Sequence, residues 1–363
     1  MRRISFLIFA LLACLVSVQW VQAQGEITTF DAPGAGTGPA QGTQPEQITA
    51  AGTIVGYYID GNNVDHGFVR SSHGKFVTFD MPGGGTGYHQ GTKAFGITQS
   101  GRIVGFYIDA NGVRHGYVRG PDGKFATFDA LGAGTGSGQG TFAAAINAAG
   151  TISGQYVDAN DVSHGFVRTV DGTITSFDPP GSAYTSADIL AINSAGTIAV
   201  QYFDSNNVSH GAVRAADGTI TTFDVPGAGT GGGQGTTPYM INVVGTMPGV
   251  YADANNVLHG FLRGADGVIT TFDVPEAGTA VFQGTIAQAT NPSDVTVGVY
   301  YDSNYVYHGL VRAADGTITT FDAPGAGTVA GSGTNSYSVS PSGEATGFYS
   351  DSNFSYHGFV RKP

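Results

Sequence analysis

The chain has almost no cysteine, and this scarcity excludes two kinds of chemistry. Its only cysteine, Cys14, lies in the apolar N-terminal run. The rest of the chain can therefore form neither an internal disulfide nor a thiol site.

Basic residues are scarce as well. The chain has 15 Lys and Arg against 27 Asp and Glu, which gives a net charge of -12 at pH 7. An acidic surface repels phosphate groups, so we expect neither a nucleic-acid partner nor binding to an anionic membrane.

Long apolar runs are absent beyond the N-terminus. Residues 1–23 have the features of an export signal: Arg2 and Arg3, an apolar run from Ile4 to about Val18, and a small-residue cleavage site that ends at Ala23. No second apolar segment follows, so no transmembrane span is predicted. We expect a secreted or periplasmic protein of residues 24–363. The segment before Cys14 also resembles a lipoprotein signal, which would place a lipid on Cys14.

What the chain has in abundance is one repeat. Phe-Asp pairs recur in steps of 49, 49, 49, 46, 49 and 49 residues, and His-Gly pairs keep the same spacing. A period of this length is typical of propellers and solenoids. The repeated histidines are His66, His115, His164, His210, His259, His308 and His357, and the repeated aspartates are Asp31, Asp80, Asp129, Asp178, Asp224, Asp273 and Asp322.

Each period contains four short β-prone runs separated by turn signals. In the third unit they are Phe142 to Asn147, Thr151 to Val157, Ser163 to Arg168 and Thr173 to Asp178. Tight turns rich in Asn, Asp and Gly connect them, so each unit predicts a four-stranded antiparallel meander. A longer Gly-rich crossover leads to the next unit, as between propeller blades.

The two ends of the chain predict how the ring closes. The repeat begins with a lone fourth strand, 27–31, and stops after a third strand, 356–361. Pairing these strands would complete a seven-bladed β-propeller of residues 24–363 and leave no unpaired sheet edge. The alternatives are a solenoid, which would need capping repeats that are not visible, and a pair of sandwiches.

The turn between the third and fourth strands places each repeated His opposite the Phe-Asp aspartate, and Gly116 opposite Phe128. One His-Asp pair could be half of a catalytic triad. Seven copies, with no Ser or Cys nucleophile in register, favour a structural hydrogen bond, and we expect an Asp partner to raise the histidine pKa. An arginine ends each third strand and predicts ion pairs and packing between blades (Arg70, Arg119, Arg168, Arg214, Arg263, Arg312 and Arg361).

An Asp-x-Asn sequence precedes each third strand, as in Asp158 and Asn160. It resembles the start of a calcium loop, but the spacing is too short and the bidentate Glu is missing. We therefore predict no metal and no other cofactor, with calcium as the alternative.

In a meander of this kind the turns between second and third strands and the crossovers emerge on one face, around one mouth of the channel. Ligand specificity should come from departures from the repeat. The predicted ligand-binding residues are Tyr88, His89, Tyr184, Asp188, Tyr239, Glu276 and Phe282. Aromatic rings mixed with carboxylates suit sugars or peptides. Neutral sequence variation in loops would produce the same pattern.

The repeat resembles that of the bacterial extracellular HAF-repeat family over nearly all of residues 24–363. The matching elements are, in chain order, HGFVR, DG, ITTFDxPGA, IN and GTIVGxYxD. The resemblance implies an exported, repeat-built bacterial protein and carries no established activity. Two departures, a fourth crossover shorter by three residues and the sixth turn that starts at Asn291, predict irregular units.

Two functions follow from these patterns. The first is a non-catalytic, monomeric binding scaffold for glycans or proteins. The second is a propeller hydrolase or lyase that acts on extracellular polysaccharide, with Asp188, Glu276 and His89 as acid-base candidates.

Overall fold

The computed structural model describes residues 25–363, apart from the side chains of residues 186–190. The predicted export signal, residues 1–23 with Cys14, lies outside the described residues. Within the described residues the chain is all-β: it contains 28 strands and no α-helix. No helix of residues 25–363 has the length and apolar character needed to cross a membrane.

The strands are short and evenly spaced, because β-branched and aromatic runs alternate with Gly, Asn and Asp turns. Their bounds are β1 Ile27–Phe30, β2 Gly42–Ile48, β3 Ile54–Ile59, β4 Asp65–Arg70, β5 Phe76–Phe79, β6 Gly91–Ile97, β7 Ile103–Ile108, β8 Arg114–Arg119, β9 Phe125–Phe128, β10 Gly140–Ile146, β11 Ile152–Val157, β12 Ser163–Arg168, β13 Ile174–Phe177, β14 Tyr184–Ile192, β15 Ile198–Phe203, β16 Ser209–Arg214, β17 Ile220–Phe223, β18 Gly235–Pro238, β19 Met247–Ala252, β20 Leu258–Arg263, β21 Ile269–Phe272, β22 Gly284–Thr290, β23 Thr296–Tyr301, β24 Tyr307–Arg312, β25 Ile318–Phe321, β26 Gly333–Val339, β27 Ala345–Ser350 and β28 Tyr356–Arg361.

Consecutive strands pair antiparallel in groups of four, for example β10 with β11, β11 with β12, and β12 with β13. Six parallel bridges each join the third strand of one group to the first strand of the next, as between Asp65 and Gly91. The predicted strands of the third unit are thus confirmed, with shifts of one or two residues at their ends.

The two ends of the described chain pair as predicted. β1 lies antiparallel to β28, with Ile27 opposite Arg361 and Phe30 opposite Gly358. β28 also pairs with β27, so it is bonded on both edges. The first strand of the described chain therefore completes the group formed by the last three.

The hydrophobic core lies between neighbouring groups. Val104 and Val118 of one group pack against Ala143, Ile152 and Phe166 of the next. Each Phe of a Phe-Asp pair also covers a glycine on the adjacent third strand. A Cβ on Gly116 would lie 2.9 Å from the Phe128 ring, so only glycine leaves room for this stacking.

Of the two predicted irregularities, the structure shows one. β14 begins inside the short fourth crossover, and its pairing with β15 shifts register between Thr185 and Leu190. The sixth turn is regular, because Asp294 takes the left-handed conformation (φ 57°) that glycine takes in other units. Short polar side chains tolerate this conformation better than bulky ones.

Candidate functional site

One face of the molecule carries the crossovers together with the turns between second and third strands; we call it the loop face. The crossover backbone is bonded on both sides: Gly85 N donates to Ile108 O at the end of β7, at 2.8 Å, and His89 N donates to Asn63 O in the preceding turn, at 2.7 Å. These bonds fix the crossovers to the sheets although they contain little regular structure. The loop face is therefore a rigid surface.

The structure brings every predicted His-Asp pair together on this face. Each histidine Nδ1 lies 2.8–3.0 Å from the nearer carboxylate oxygen of its partner. Since a carboxylate only accepts, Nδ1 carries the proton. The seventh pair, His357 with Asp31, joins the two ends of the described chain.

A second aspartate and a tyrosine complete each histidine environment. The Asp of Asp-x-Asn has a carboxylate oxygen 3.7–3.9 Å from the histidine Nε2. A tyrosine from the second strand stacks on the imidazole with centroids 4.8–5.1 Å apart. The hydrogen bond to Asp322 raises the pKa of His308 despite partial burial, and Asp80 and Asp31 do the same for His66 and His357.

The Asp-x-Asn aspartates bind their own turns. Their Oδ1 atoms accept backbone N–H groups from residues two and four positions later, at 2.8–2.9 Å for Asp158 with Asn160 and Val162. The hydrogen bond from Val162 is the main reason that the pKa of Asp158 lies below its ordinary value. Among the described residues no group of three or more His, Cys, Asp or Glu side chains has the arrangement of a metal site.

The repeated arginines link neighbouring groups, but the predicted ion pairs are wrong. Each guanidinium lies over the Phe of the preceding group, 4.4–5.1 Å from the ring centroid, as Arg263 does over Phe223. The ion pairs within the described residues include none of these arginines. The aromatic ring replaces the carboxylate because its negative face attracts the guanidinium charge.

Two predicted ligand residues, Tyr88 and Phe282, lie exposed on the loop face, and His89 is half-buried there. Tyr88 is 74% exposed and Phe282 is 57% exposed. His89 and Phe282 have left-handed φ values of 53° and 60°, and each donates its backbone N–H to the preceding turn. Tyr305 and Phe354, which sequence reasoning missed, add exposed rings in the turns of the last two units.

The other predicted ligand residues have different surroundings. Tyr184 begins β14, stacks on Phe203 with centroids 4.8 Å apart and donates to Asn207. Asp188 lies in β14, and its side chain is outside the described part. Glu276 lines a groove of about 430 Å³ beside Asp273 and β25, a fourth strand. It lies in the crossover after β21, as predicted, but it is not among the residues that line the central cavity.

Tyr239 is misplaced by sequence reasoning. It follows β18 directly and lines a central cavity of about 850 Å³ instead of a crossover. This central cavity is formed mainly by first and second strands, including Gln44 and Glu46 of β2, Lys93 of β6, Gln155 of β11 and Gln288 of β22. The repeated His-Asp pairs, on third and fourth strands, lie outside it.

A buried charged cluster lies at the edge of the central cavity. The Asp65 side chain is 1% exposed, and its Oδ2 lies 3.4 Å from Lys93 Nζ. Its Oδ1 lies 3.7 Å from His89 Nδ1. Burial raises the pKa of Asp65, although Lys93 and His89 lower it in part. Lys93 Nζ also lies 4.5 Å from the centroid of the Tyr57 ring.

Sequence reasoning named His89 but missed Asp65 and Lys93, because it searched for departures in the crossovers. Asp65 starts a third strand where other units have Arg114, Ser163 or Leu258, and Lys93 is a departure within a first strand. Comparing strand positions between units would have found both residues.

No protein-family profile matches the chain, and no curated protein matches its sequence. Solved structures do. Virginiamycin B lyase from Staphylococcus aureus has a TM-score of 0.59 at 13% identity, over 93% of this chain and 99% of that one. The BP39L lectin from Burkholderia pseudomallei has a TM-score of 0.56 at 12% identity, over 87% and 94%.

Puromycin hydrolase has a TM-score of 0.54 at 11% identity; the match covers 85% of this chain and only half of the hydrolase chain. At these identities the likeness shows the fold alone, which is a β-propeller built from a repeat. Since this fold occurs in a lectin, a lyase and a hydrolase, it does not choose among binding and catalytic functions.

Proposed function

We propose that the chain is an exported, seven-bladed β-propeller that acts as a non-catalytic binding scaffold and binds glycans through its loop face. Each four-stranded group is one blade, and β1 with β26, β27 and β28 forms the seventh. The export signal in residues 1–23 and the resemblance to the HAF-repeat family support a secreted or periplasmic location.

The exposed aromatic rings on a fixed backbone carry this proposal. Tyr88 and Phe282 project from crossovers whose N–H groups are bonded to the neighbouring turns at 2.7 Å. Tyr305 is held similarly, because its hydroxyl donates to Val281 O at 3.0 Å. Rigid rings beside the Asp and Asn of the turns offer a sugar both a stacking surface and hydrogen-bonding groups.

The repeated His-Asp pairs support a structural role over a catalytic one. Among the described residues, no Ser or Cys side chain is hydrogen-bonded to the seven repeated histidines. Each imidazole is instead enclosed by two aspartates and a tyrosine. A triad needs a nucleophile within hydrogen-bond reach of the histidine.

One observation favours the second candidate, a hydrolase or lyase that acts on extracellular polysaccharide. Three different titratable side chains lie close together: Asp65, Lys93 and His89. The pKa of Asp65 is raised. Against catalysis, the Asp65 carboxylate is shut off from solvent and lies against Lys93. If the chain cleaves polysaccharide, Lys93→Met should abolish product formation.

A glycan array tests the binding proposal. We expect the wild-type chain to retain specific glycans without turnover, and a Tyr88→Ser, Phe282→Ser double variant to lose them. Val268→Ser is the matched control: Val268 is exposed in a turn at the opposite end of the sheets. Retention of the glycans by the double variant, or capture of protein ligands only, would overturn the proposal.

A further inference from the structure

The central cavity contains hydrogen-bond acceptors that the protein leaves unused. Gln155 and Gln288 are 5% and 7% exposed, and both line the cavity. Their Oε1 atoms, and the Oδ1 atom of Asn335, have no hydrogen-bond partner in the described part of the chain. Buried polar atoms of this kind are rare in folded proteins and call for an explanation.

Two other glutamines of the lining are already engaged. Gln44 Oε1 accepts from the Tyr57 hydroxyl at 2.7 Å, and Gln47 Oε1 accepts from Ile97 N at 2.7 Å. The unused acceptors therefore form a separate set. They come from β11, β22 and β26, three strands of three different groups, so a ligand between them would be held from several sides.

The two cationic side chains that border the cavity have partners within the protein. Lys93 lies 3.4 Å from the buried Asp65 carboxylate, and Arg114 Nη1 donates to Gly138 O. Glu46 also interacts within the protein. A charged ligand would have to compete with these partners, so the cavity favours a neutral one.

Aromatic rings supply the apolar part of the wall. Phe95, Phe106 and Phe142 form one continuous surface with ring centroids 4.6–5.6 Å apart. Tyr301 and Tyr337 belong to the wall formed by the later groups. The volume of about 850 Å³ is within the range of small-molecule sites.

From these features we infer that the central cavity binds a neutral, polyhydroxylated small molecule of sugar type. The amides of Gln155, Gln288 and Asn335, whose oxygens are buried without a ligand, turn to accept from its hydroxyl groups, and its C–H surface packs on the aromatic wall. A sugar combines an apolar face with donors around its perimeter, which is the combination that this wall requires. The site is separate from the loop face, so it does not depend on glycan binding there.

The fourth group provides a matched control. Gln201 lies opposite Gly211 as Gln155 lies opposite Gly165, so the two glutamines occupy equivalent positions. Gln201 is also buried, but it donates to Ser209 Oγ at 2.7 Å and Thr237 Oγ1 at 2.8 Å and is not part of the cavity lining. Substituting Gln201 therefore removes a buried amide without changing the lining of the central cavity.

The experiment measures binding of D-glucose, D-galactose and N-acetyl-D-glucosamine by ligand-observed NMR and calorimetry. We expect at least one of them to bind, and Gln155→Leu and Gln288→Leu each to weaken it about tenfold, the value of one hydrogen bond. Both variants should stay folded with an unchanged or higher unfolding temperature. Gln201→Leu should unfold at a lower temperature and bind the sugar like the wild type.

Two results would overturn the inference: no binding of any of the three sugars at millimolar concentration, or equal binding by the wild type and both Leu variants. The Tyr88→Ser, Phe282→Ser double variant separates this inference from the proposed function. It should lose glycan retention on the array and keep the monosaccharide site. Loss of both activities in that variant would place the monosaccharide on the loop face.

Discussion

The Asp31 carboxylate accepts a hydrogen bond from His357 Nδ1 at 2.9 Å, although 326 positions separate the two residues. The same bond joins residues 14 positions apart in every other unit, as between His308 and Asp322. The unit formed by the two ends of the described chain thus has the same internal geometry as units formed by continuous chain.

This equivalence predicts the cost of opening the ring. Phe30 covers Gly358 as Phe223 covers Gly211. Phe30→Ala should therefore lower the free energy of unfolding about as much as Phe223→Ala, by about 2 kcal/mol or more. Chemical denaturation measures both. If Phe30→Ala left the free energy of unfolding unchanged while Phe223→Ala lowered it, β1 would not be paired in solution.

The arginine stacks predict a coupling between neighbouring groups. The Arg263 guanidinium lies 4.8 Å from the centroid of the Phe223 ring. Arg263→Met keeps the aliphatic stem and removes the charge, so it should cost about 1 kcal/mol of unfolding free energy. A double-mutant cycle with Phe223→Leu should give a coupling of similar size. The control is Lys124→Met, at an 88% exposed side chain, which should be neutral.

The glycines beneath the Phe rings predict a steric effect. A Cβ on Gly309 would lie 2.5 Å from the buried Phe321 ring, whereas a Cβ on Gly61 would meet nothing within 4 Å. Gly309→Ala should cost about 1–3 kcal/mol because the ring must move, and Gly61→Ala should be close to neutral. Equal stability of the two variants in thermal unfolding would contradict the close packing.

The histidine pairs predict a pH dependence. The folded-state pKa of His308 is raised above its ordinary value by the hydrogen bond to Asp322, so the folded protein holds the proton more tightly than the unfolded chain. This contribution is fully present below the unfolded pKa of about 6.5 and is lost as the pH rises through the raised folded value.

Unfolding free energies at pH 5.5 to 8.5 should therefore fall with rising pH. His308→Gln should remove part of that fall, on the order of 0.5 kcal/mol for a partly exposed pair. His73→Gln, at an exposed histidine outside the repeated pairs, is the control. A profile that His308→Gln leaves unchanged would contradict the prediction.

The Asp-x-Asn turns predict indifference to calcium. Asp204 Oδ1 already accepts the N–H groups of Asn206 and Val208 at 2.9 Å. Calcium or a chelator should therefore leave the unfolding temperature unchanged, while Asp204→Ala should lower it, because the turn loses two hydrogen bonds. A higher unfolding temperature in calcium would make these turns cation ligands.

The sequence alone predicted the strands, the antiparallel meanders, the His-Asp pairs and the pairing of 27–31 with 356–361. These features depend on contacts that recur at a fixed spacing, so turn residues and strand alternation specify them locally. The same logic placed Gly116 opposite Phe128, which the structure confirms.

Only the tertiary structure decided which departures from the repeat meet. Tyr239 and Glu276 both depart from the repeat, yet one lines the central cavity and the other an outer groove, because radial position depends on strand rank within a group. Asp65 and Lys93 come together through the bridge between two groups, and the Arg-Phe stacks form across another such boundary. Contacts between groups depend on how whole sheets pack, and the spacing within one repeat does not contain that information.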